Sequence, residues 1–403
     1  MADILFLVHR LPYPPNKGDK VRSYNLLKHL ARQHRIFLGT FIDDPDDERH
    51  IATVRSLCAD VHVARLDPRI ARIRSLGGLL AGEALTLGYY RSSALRNWVD
   101  ATCLRRHIDA SVIFSSAMAQ YLEEQPRIPT IIDFVDVDSA KWTQYAPQHR
   151  WPLSWLYRRE GKLLLDYERR MAARASRSFF ATDNEVALFT QKAPECRVRV
   201  QAMGNGVDAD YFSADNARST PFPAGELPVV FTGAMDYLPN VDAATWFAAD
   251  VLPDLLQRWP AVRFYVVGRN PSAAVLALAS DRIVVTGTVD DVRPYLQHAA
   301  TVVAPLRIAR GIQNKILEAM AMGKAVIASA TCAAAVDAVA GQELLTATSP
   351  EEYVAAISQV LEAPETATAM GRAARQRVVE RYTWEAHMKA IDPYLPAPSL
   401  GET

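Results

Sequence analysis

Short apolar runs closed by turn residues alternate along this chain with stretches in which apolar positions recur every three or four residues. Residues 4–8, 36–41, 61–64, 111–114, 130–132 and 178–181 read as strands buried on both faces, and 229–232, 263–267, 301–304 and 325–328 continue the series. Helical spacing fills the intervals, over 21–30, in two stretches within 65–106, over 149–177, and after the last strand over 351–361, 364–381 and 384–391. Such alternation predicts doubly wound parallel sheets and excludes all-α and all-β architectures. At 403 residues the chain is too long for one ordinary core. Two α/β domains are expected, 1–205 and 206–380, with 381–403 as a terminal helical segment. The Pro- and Ala-rich stretch 213–228 suits a connection.

One unit of this pattern carries chemistry. The strand 301–304 stops at Pro305, a short basic loop follows, and the spacing predicts a helix opening near Gly311 and ending at Gly323 before the strand 325–328. Asn314 and Glu318 then share a helix face, while Ile316, Leu317 and Met320 turn toward the sheet. A helix entrance just outside the carboxyl end of a strand is a place for phosphate. By itself Glu318 reads equally as a solvated helix acid.

Composition is that of a soluble globular protein, but the balanced charge hides an asymmetry. Residues 1–205 carry 30 Lys+Arg against 23 Asp+Glu, and the remainder 15 against 22. A basic half can meet phosphate or anionic lipid, whereas the acidic half argues against a protein that coats nucleic acid. Cys58, Cys103, Cys196 and Cys332 are dispersed and form no ligand cluster, as expected of a reduced cytosolic protein without structural zinc. A strand from the outset stands where a secretory leader would place a basic and then an apolar region. Residues 75–87 are too short, and too interrupted by Gly77, Gly78 and Glu83, to span a bilayer.

Two basic stretches admit more than one account. Arg69, Arg72 and Arg74 among apolar residues suit either a helix with one face buried and arginines in water, or one resting on an anionic membrane. Likewise Trp151, Trp155 and Tyr157 open a basic helix that suits a membrane interface or simple packing beside a cleft. Asp133, Asp136 and Asp138 lack a companion ligand set, so no metal is expected there, and Asp138 is placed to cap the following helix. No strand is followed by GxGxxG, which argues against a dinucleotide dehydrogenase.

The stretch LEAMAMGKAVIAS, together with MGNGVDADYF at 203–212, closely resembles the family 4 glycosyltransferases. HRLPYPPNKGDKVR, DFVDVDSAKW, FTGAMDYLPNVDA and RGIQNKILEAMAMGK together are most similar to the members associated with exosortase systems. The resemblance implies the GT-B fold, two Rossmann-like domains facing across a cleft, with the terminal helix returning to the first. It implies retaining, metal-independent sugar transfer without a cofactor. The donor would be a nucleotide sugar and the acceptor a glycan or lipid-linked glycan of exopolysaccharide synthesis, handled in the cytoplasm with peripheral contact at the inner membrane. Glu318 would bind ribose, Asn205 to Asp208 would form the interdomain turn, and the backbone at Val289 would meet the base. Gly18 would face the donor phosphates, with Asp19 and Arg22 on the acceptor side and Asp136 keeping an acidic catalytic position.

Three departures accompany the resemblance. Arg310 stands where the family has its first glutamate, Val135 precedes Asp136 where the family has histidine, and Ala234 and Met235 follow Gly233 where an arginine and a lysine are usual. Arg269, Arg307, Arg310 and Lys315 are the candidates to supply the missing charge, with Arg310 and Lys315 assigned to catalysis and Gly233 and Asn314 to the donor site. Alternatives are a nucleotide-sugar epimerase of the same fold and a non-catalytic nucleotide-sugar-binding protein.

Overall fold

The computed structural model describes residues 1–15, 18–308 and 312–397. The chain divides into two units, residues 1–205 with 387–403, and residues 206–386. Unit 1 holds seven strands: β1 (Asp3–Val8), β2 (Arg35–Ile42), β3 (Asp60–Arg65), β4 (Ala110–Phe114), β5 (Thr130–Val135), β6 (Arg177–Phe180) and β7 (Val200–Ala202). Unit 2 holds β8 (Leu227–Thr232), β9 (Val262–Val267), β10 (Ile283–Gly287), β11 (Thr301–Ala304), β12 (Val326–Ser329) and β13 (Leu345–Ala347).

Every strand pairing is parallel, in the orders β3-β2-β1-β4-β5-β6-β7 and β10-β9-β8-β11-β12-β13. Helices cover the sheets, so the inner strands are largely apolar, as in β1, whose six residues are all buried and, after Asp3, all apolar. In each sheet the strand order reverses once, between β1 and β4 and between β8 and β11. At such a reversal adjacent loops leave in opposite directions and open a crevice at the carboxyl ends.

β7 and β13 have three residues each and give no periodic signal, and β10 is a largely half-buried edge strand. These three elements are additional to the sequence pattern. The interval 65–106 contains four helices rather than two, Pro68–Ser75, Gly77–Ala81, Leu85–Tyr89 and Ser93–Arg105. Among the described residues no helix is long and apolar enough to cross a membrane.

Candidate active site

In unit 2, the helix after β11 runs Asn314–Ala321, shorter than the spacing predicts. Its apolar stripe buries Ile316, Leu317, Ala319 and Met320, while Lys315 and Glu318 remain half-buried and Asn314 exposed. Gly323 ends it at φ 69, in the left-handed region that favours glycine. Gly323 N–H donates to the Met320 carbonyl and Lys324 N–H to that of Ala319, closing a Schellman motif. The Arg375 guanidinium donates to the Ala321 carbonyl, placing a cation at the negative helix end. The helix is thereby fixed at the end away from the site.

At the other end, Lys315 reaches over the turn that leaves β8. Its ammonium lies 4.4 Å from the centre of the Phe231 ring and donates to Asn240 Oδ1 at 2.5 Å. Asn240 is itself buried, and its Nδ2 donates at 2.8 Å to the carbonyl of Ala234, which pins the turn. Gly233 has φ 155, and a Cβ there would sit 2.7 Å from Asn240 Nδ2 and 2.9 Å from Lys315 Nζ. Only glycine leaves room for the amide and the ammonium at this turn. Gly268, after β9, is equally constrained, since its Cβ would fall 1.6 Å from the Gly233 carbonyl oxygen.

Burial pulls the Lys315 ammonium down to about 8, against the opposing pull of Glu318. The same burial raises the Glu318 carboxyl, with Lys315 opposing it. This leaves a cation beside a neutral amide, desolvated and without a bonded carboxylate among the described residues. An anion placed against Gly233 would restore the electrostatic partner that burial has removed.

Arg307 is committed differently. Its Nε and Nη2 donate to Asp242 at 3.0 and 2.5 Å, so its charge is already matched. Arg269 is exposed beside the Gly233 turn, where its carbonyl accepts from Met235 N–H at 2.8 Å. Val289 is half-buried in the turn after β10, at the edge of the same sheet. Arg310 and Gly311 lie outside the described residues. Asn240 and Gly268 were not among the expected site residues. A buried amide in the first turn after a glycine-terminated strand was their signal.

The reversal in unit 1 opens a cavity of about 660 Å³ at the carboxyl ends of β1, β4 and β5. His9, Arg10, Asp19, Tyr90, Phe114, Ser115, Val135, Asp136 and Trp142 line it. Asp19 accepts from Arg10 at 2.7 Å and faces His9 Nε2 at 3.3 Å. Burial raises the Asp19 carboxyl, but the His9 hydrogen bond and the Arg10 charge outweigh it and hold the group well below the usual range. Asp136 stands at the rim, paired with Lys141 at 2.8 Å. Asp138 is not the N-cap of its helix; it is the first helical residue, and its carboxylate accepts from Lys141 at 3.1 Å.

Ser115 and Val135 adopt φ 77 and 69 on the cavity wall. A β-branched residue in that region is strained, and Asp133 holds both places. The Asp133 carbonyl accepts from Ser115 N–H at 2.9 Å and its carboxylate from Val135 N–H at 3.2 Å. Arg22, expected toward the acceptor, is instead fully buried. Its Nε and Nη2 grip Asp133 at 2.7 and 3.0 Å, and Nη1 donates to Asn205 Oδ1 at 2.9 Å. Arg22 is therefore an anchor for the wall, with no face toward the cavity. Gly18 is the first residue of the Gly18–Ala31 helix, with open space where a side chain would begin.

Residues 226–363 match the family model described as glycosyl transferases group 1. The whole fold is similar to solved structures of that architecture. Anabaena HepE, crystallised with UDP, aligns with a TM-score of 0.62 at 16% identity, covering 98% of this chain and 99% of that one. Sucrose-phosphate synthase of Thermosynechococcus elongatus aligns with a TM-score of 0.62 at 18% identity, covering 98% of each. WaaG, a glycosyltransferase of lipopolysaccharide biosynthesis, aligns with a TM-score of 0.56 at 16% identity over 97% of this chain and 99% of that one. No protein of curated function matches the sequence. The two parallel-sheet Rossmann-like domains are those of the GT-B fold.

Proposed function

We propose that this chain is a glycosyltransferase that takes a sugar from a nucleotide-sugar donor with retention of configuration and passes it to a glycan or lipid-linked acceptor of exopolysaccharide synthesis. The observation that carries this is the desolvated Lys315 ammonium held over the Gly233 turn at the β8/β11 reversal, with Glu318 one turn farther along the same helix. The match of this region to a glycosyl transferase model supports it.

In this proposal the donor diphosphate lies against Gly233 and meets Lys315, while Glu318 accepts from the ribose hydroxyls. Charge grows on the diphosphate as the glycosidic bond breaks, and a preorganised cation in a dry site stabilises that charge more than it stabilises the ground state. The acceptor hydroxyl attacks the same face and its proton leaves with the diphosphate, so no protein nucleophile or metal is required. Turnover is expected to survive a chelator, and loss restored by magnesium or manganese would contradict this.

Glu318→Ala should weaken nucleotide binding by roughly 1 to 3 kcal/mol, the scale of hydrogen bonds to a charged group. Calorimetry with the parent nucleoside diphosphate checks it, and unchanged affinity would remove the ribose role.

A pH dependence follows from Lys315. The cation must be protonated to meet the diphosphate, and burial sets its pKa to about 8 in the empty site. Affinity for a nucleotide sugar, whose diphosphate does not titrate near neutrality, should be flat below that value. Above it, affinity should fall by up to about tenfold per pH unit until the raised pKa of the bound state is reached. Lys315→Arg should remove the fall, because a guanidinium stays charged throughout.

A further inference from the structure

Two segments of unit 1 are built inside out. Along Pro68–Ser75 and Gly77–Ala81 the residues turned inward are small, Ala71, Ser75 and Gly78, and the backbone of Gly88 comes so near that a Cβ there would lie 3.1 Å from Ser75 Cα. The large aliphatic residues face solvent, with Ile73 72% and Leu80 96% exposed, and Ile70 and Leu76 continue the face at spacings of three and four. One face of the first helix is thus buried with Arg69, Arg72 and Arg74 in water, but the buried face is the small-residue one. Close packing against the body needs the small side chains inside, which leaves the large ones without a partner.

The start of the Leu153–Arg174 helix does the same, with Trp151 80% exposed and Leu153 and Trp155 beside it. Hydrogen bonds join the two segments. Arg159 donates to the Gly78 and Glu83 carbonyls at 2.8 and 3.0 Å, and the Glu160 carboxylate accepts from Leu85 and Thr86 N–H at 2.7 and 2.9 Å. Elsewhere in unit 1 the exposed large apolar residues, Met1, Leu104, Tyr145 and Val198, are scattered.

Charge selects the partner. Arg69, Arg72 and Arg74 are exposed on the first segment, and Arg150 and Arg158 on the second. No acid lies in residues 69–82 or 139–159. Exposed Leu, Ile and Trp side chains ringed by arginines match an anionic membrane interface, where rings and aliphatic chains enter the headgroup boundary and guanidinium groups remain at phosphate level. Leu76, Arg72 and Leu156 also line the rim of the 660 Å³ cavity.

We propose that unit 1 docks on an anionic lipid bilayer through this surface, and that the cavity beside it receives its acceptor from the membrane. The second clause rests on the glycosyl-transfer reading; the docking does not.

Flotation of the full chain with vesicles of phosphatidylglycerol and phosphatidylethanolamine tests the docking. The protein should float at low salt and keep part of its binding at 1 M salt, since insertion of apolar groups is not screened. Ile73→Asp with Leu80→Asp, and separately Trp151→Ser with Trp155→Ser, should each lower the bound fraction at least tenfold with unchanged thermal melting, as these side chains are exposed. Arg69→Gln with Arg72→Gln and Arg74→Gln should remove the salt-sensitive part. Absence of flotation, or variants that float like the parent, would overturn the proposal. So would a parent that is dimeric in sedimentation, does not float, and becomes monomeric in the Asp variants, because the surface would then belong to a second copy. Flotation by a chain that binds no nucleotide would leave the docking standing and refute the acceptor clause.

Discussion

Lys315→Met is expected to lower sugar transfer by roughly 10²- to 10³-fold, the scale seen when one preorganised donor to a developing oxyanion is removed. The side chain of Lys315 is held by Asn240 and by the Phe231 ring, and its charge has no bonded carboxylate among the described residues. Methionine keeps the length and apolar stem and removes only the cation, so folding should survive. The loss should fall mainly on the rate of transfer, with a smaller effect on binding of a bare nucleoside, which carries no diphosphate. Single-turnover rates beside nucleoside affinities separate the two. An equal loss in both would mean that the helix had shifted, and the charge would not be the cause. Gly233→Ala should give a milder version of the same defect, because its Cβ would displace both Lys315 Nζ and Asn240 Nδ2.

Asp133→Ala should destabilise the protein by about 3–5 kcal/mol, since it leaves the Arg22 guanidinium buried without its carboxylate. The carboxylate also holds the strained backbone at Val135, so the acceptor-side cavity should lose its shape along with stability. Chemical denaturation measures the first effect. The double variant Arg22→Met with Asp133→Leu should recover much of the stability, because an apolar pair avoids the cost of burying charge. It should leave Val135 unsupported and so recover little activity. Equal recovery of both would reduce Asp133 to an ion-pair partner with no part in shaping the wall.

The alternation of buried runs with helical spacing exposed both doubly wound sheets in the sequence, because strands covered on two faces must be apolar along their length. β7, β10 and β13 escaped it, being short or half-exposed at the edges. The positions of candidate site residues were legible where they follow from chain neighbours, as with Glu318 on the helix after β11 and Gly233 at the end of β8. It was not legible where a role depends on what a side chain meets across the fold. Arg22 and Arg307 look like available cations in the sequence, yet each already has a carboxylate, Asp133 and Asp242, far away in the chain. The absence of basic residues after Gly233 pointed to a replacement cation nearby. Among the described residues Lys315 is the one whose ammonium reaches that turn; Arg310 lies outside them. The outward apolar face at Ile73 and Leu80 was hidden for a related reason, since periodicity reveals a stripe and not the side on which the body lies.

Calorimetric titration of the full chain with UDP, GDP and ADP tests the central claim most directly, run in parallel on Lys315→Met and Glu318→Ala. One of the three nucleotides should bind the parent, and both variants should bind it more weakly, with the Lys315→Met deficit full below about pH 8 and shrinking above it as the empty-site lysine loses its proton. Binding of none of them, or binding that neither variant weakens, would contradict a nucleotide-sugar site at the β8/β11 reversal.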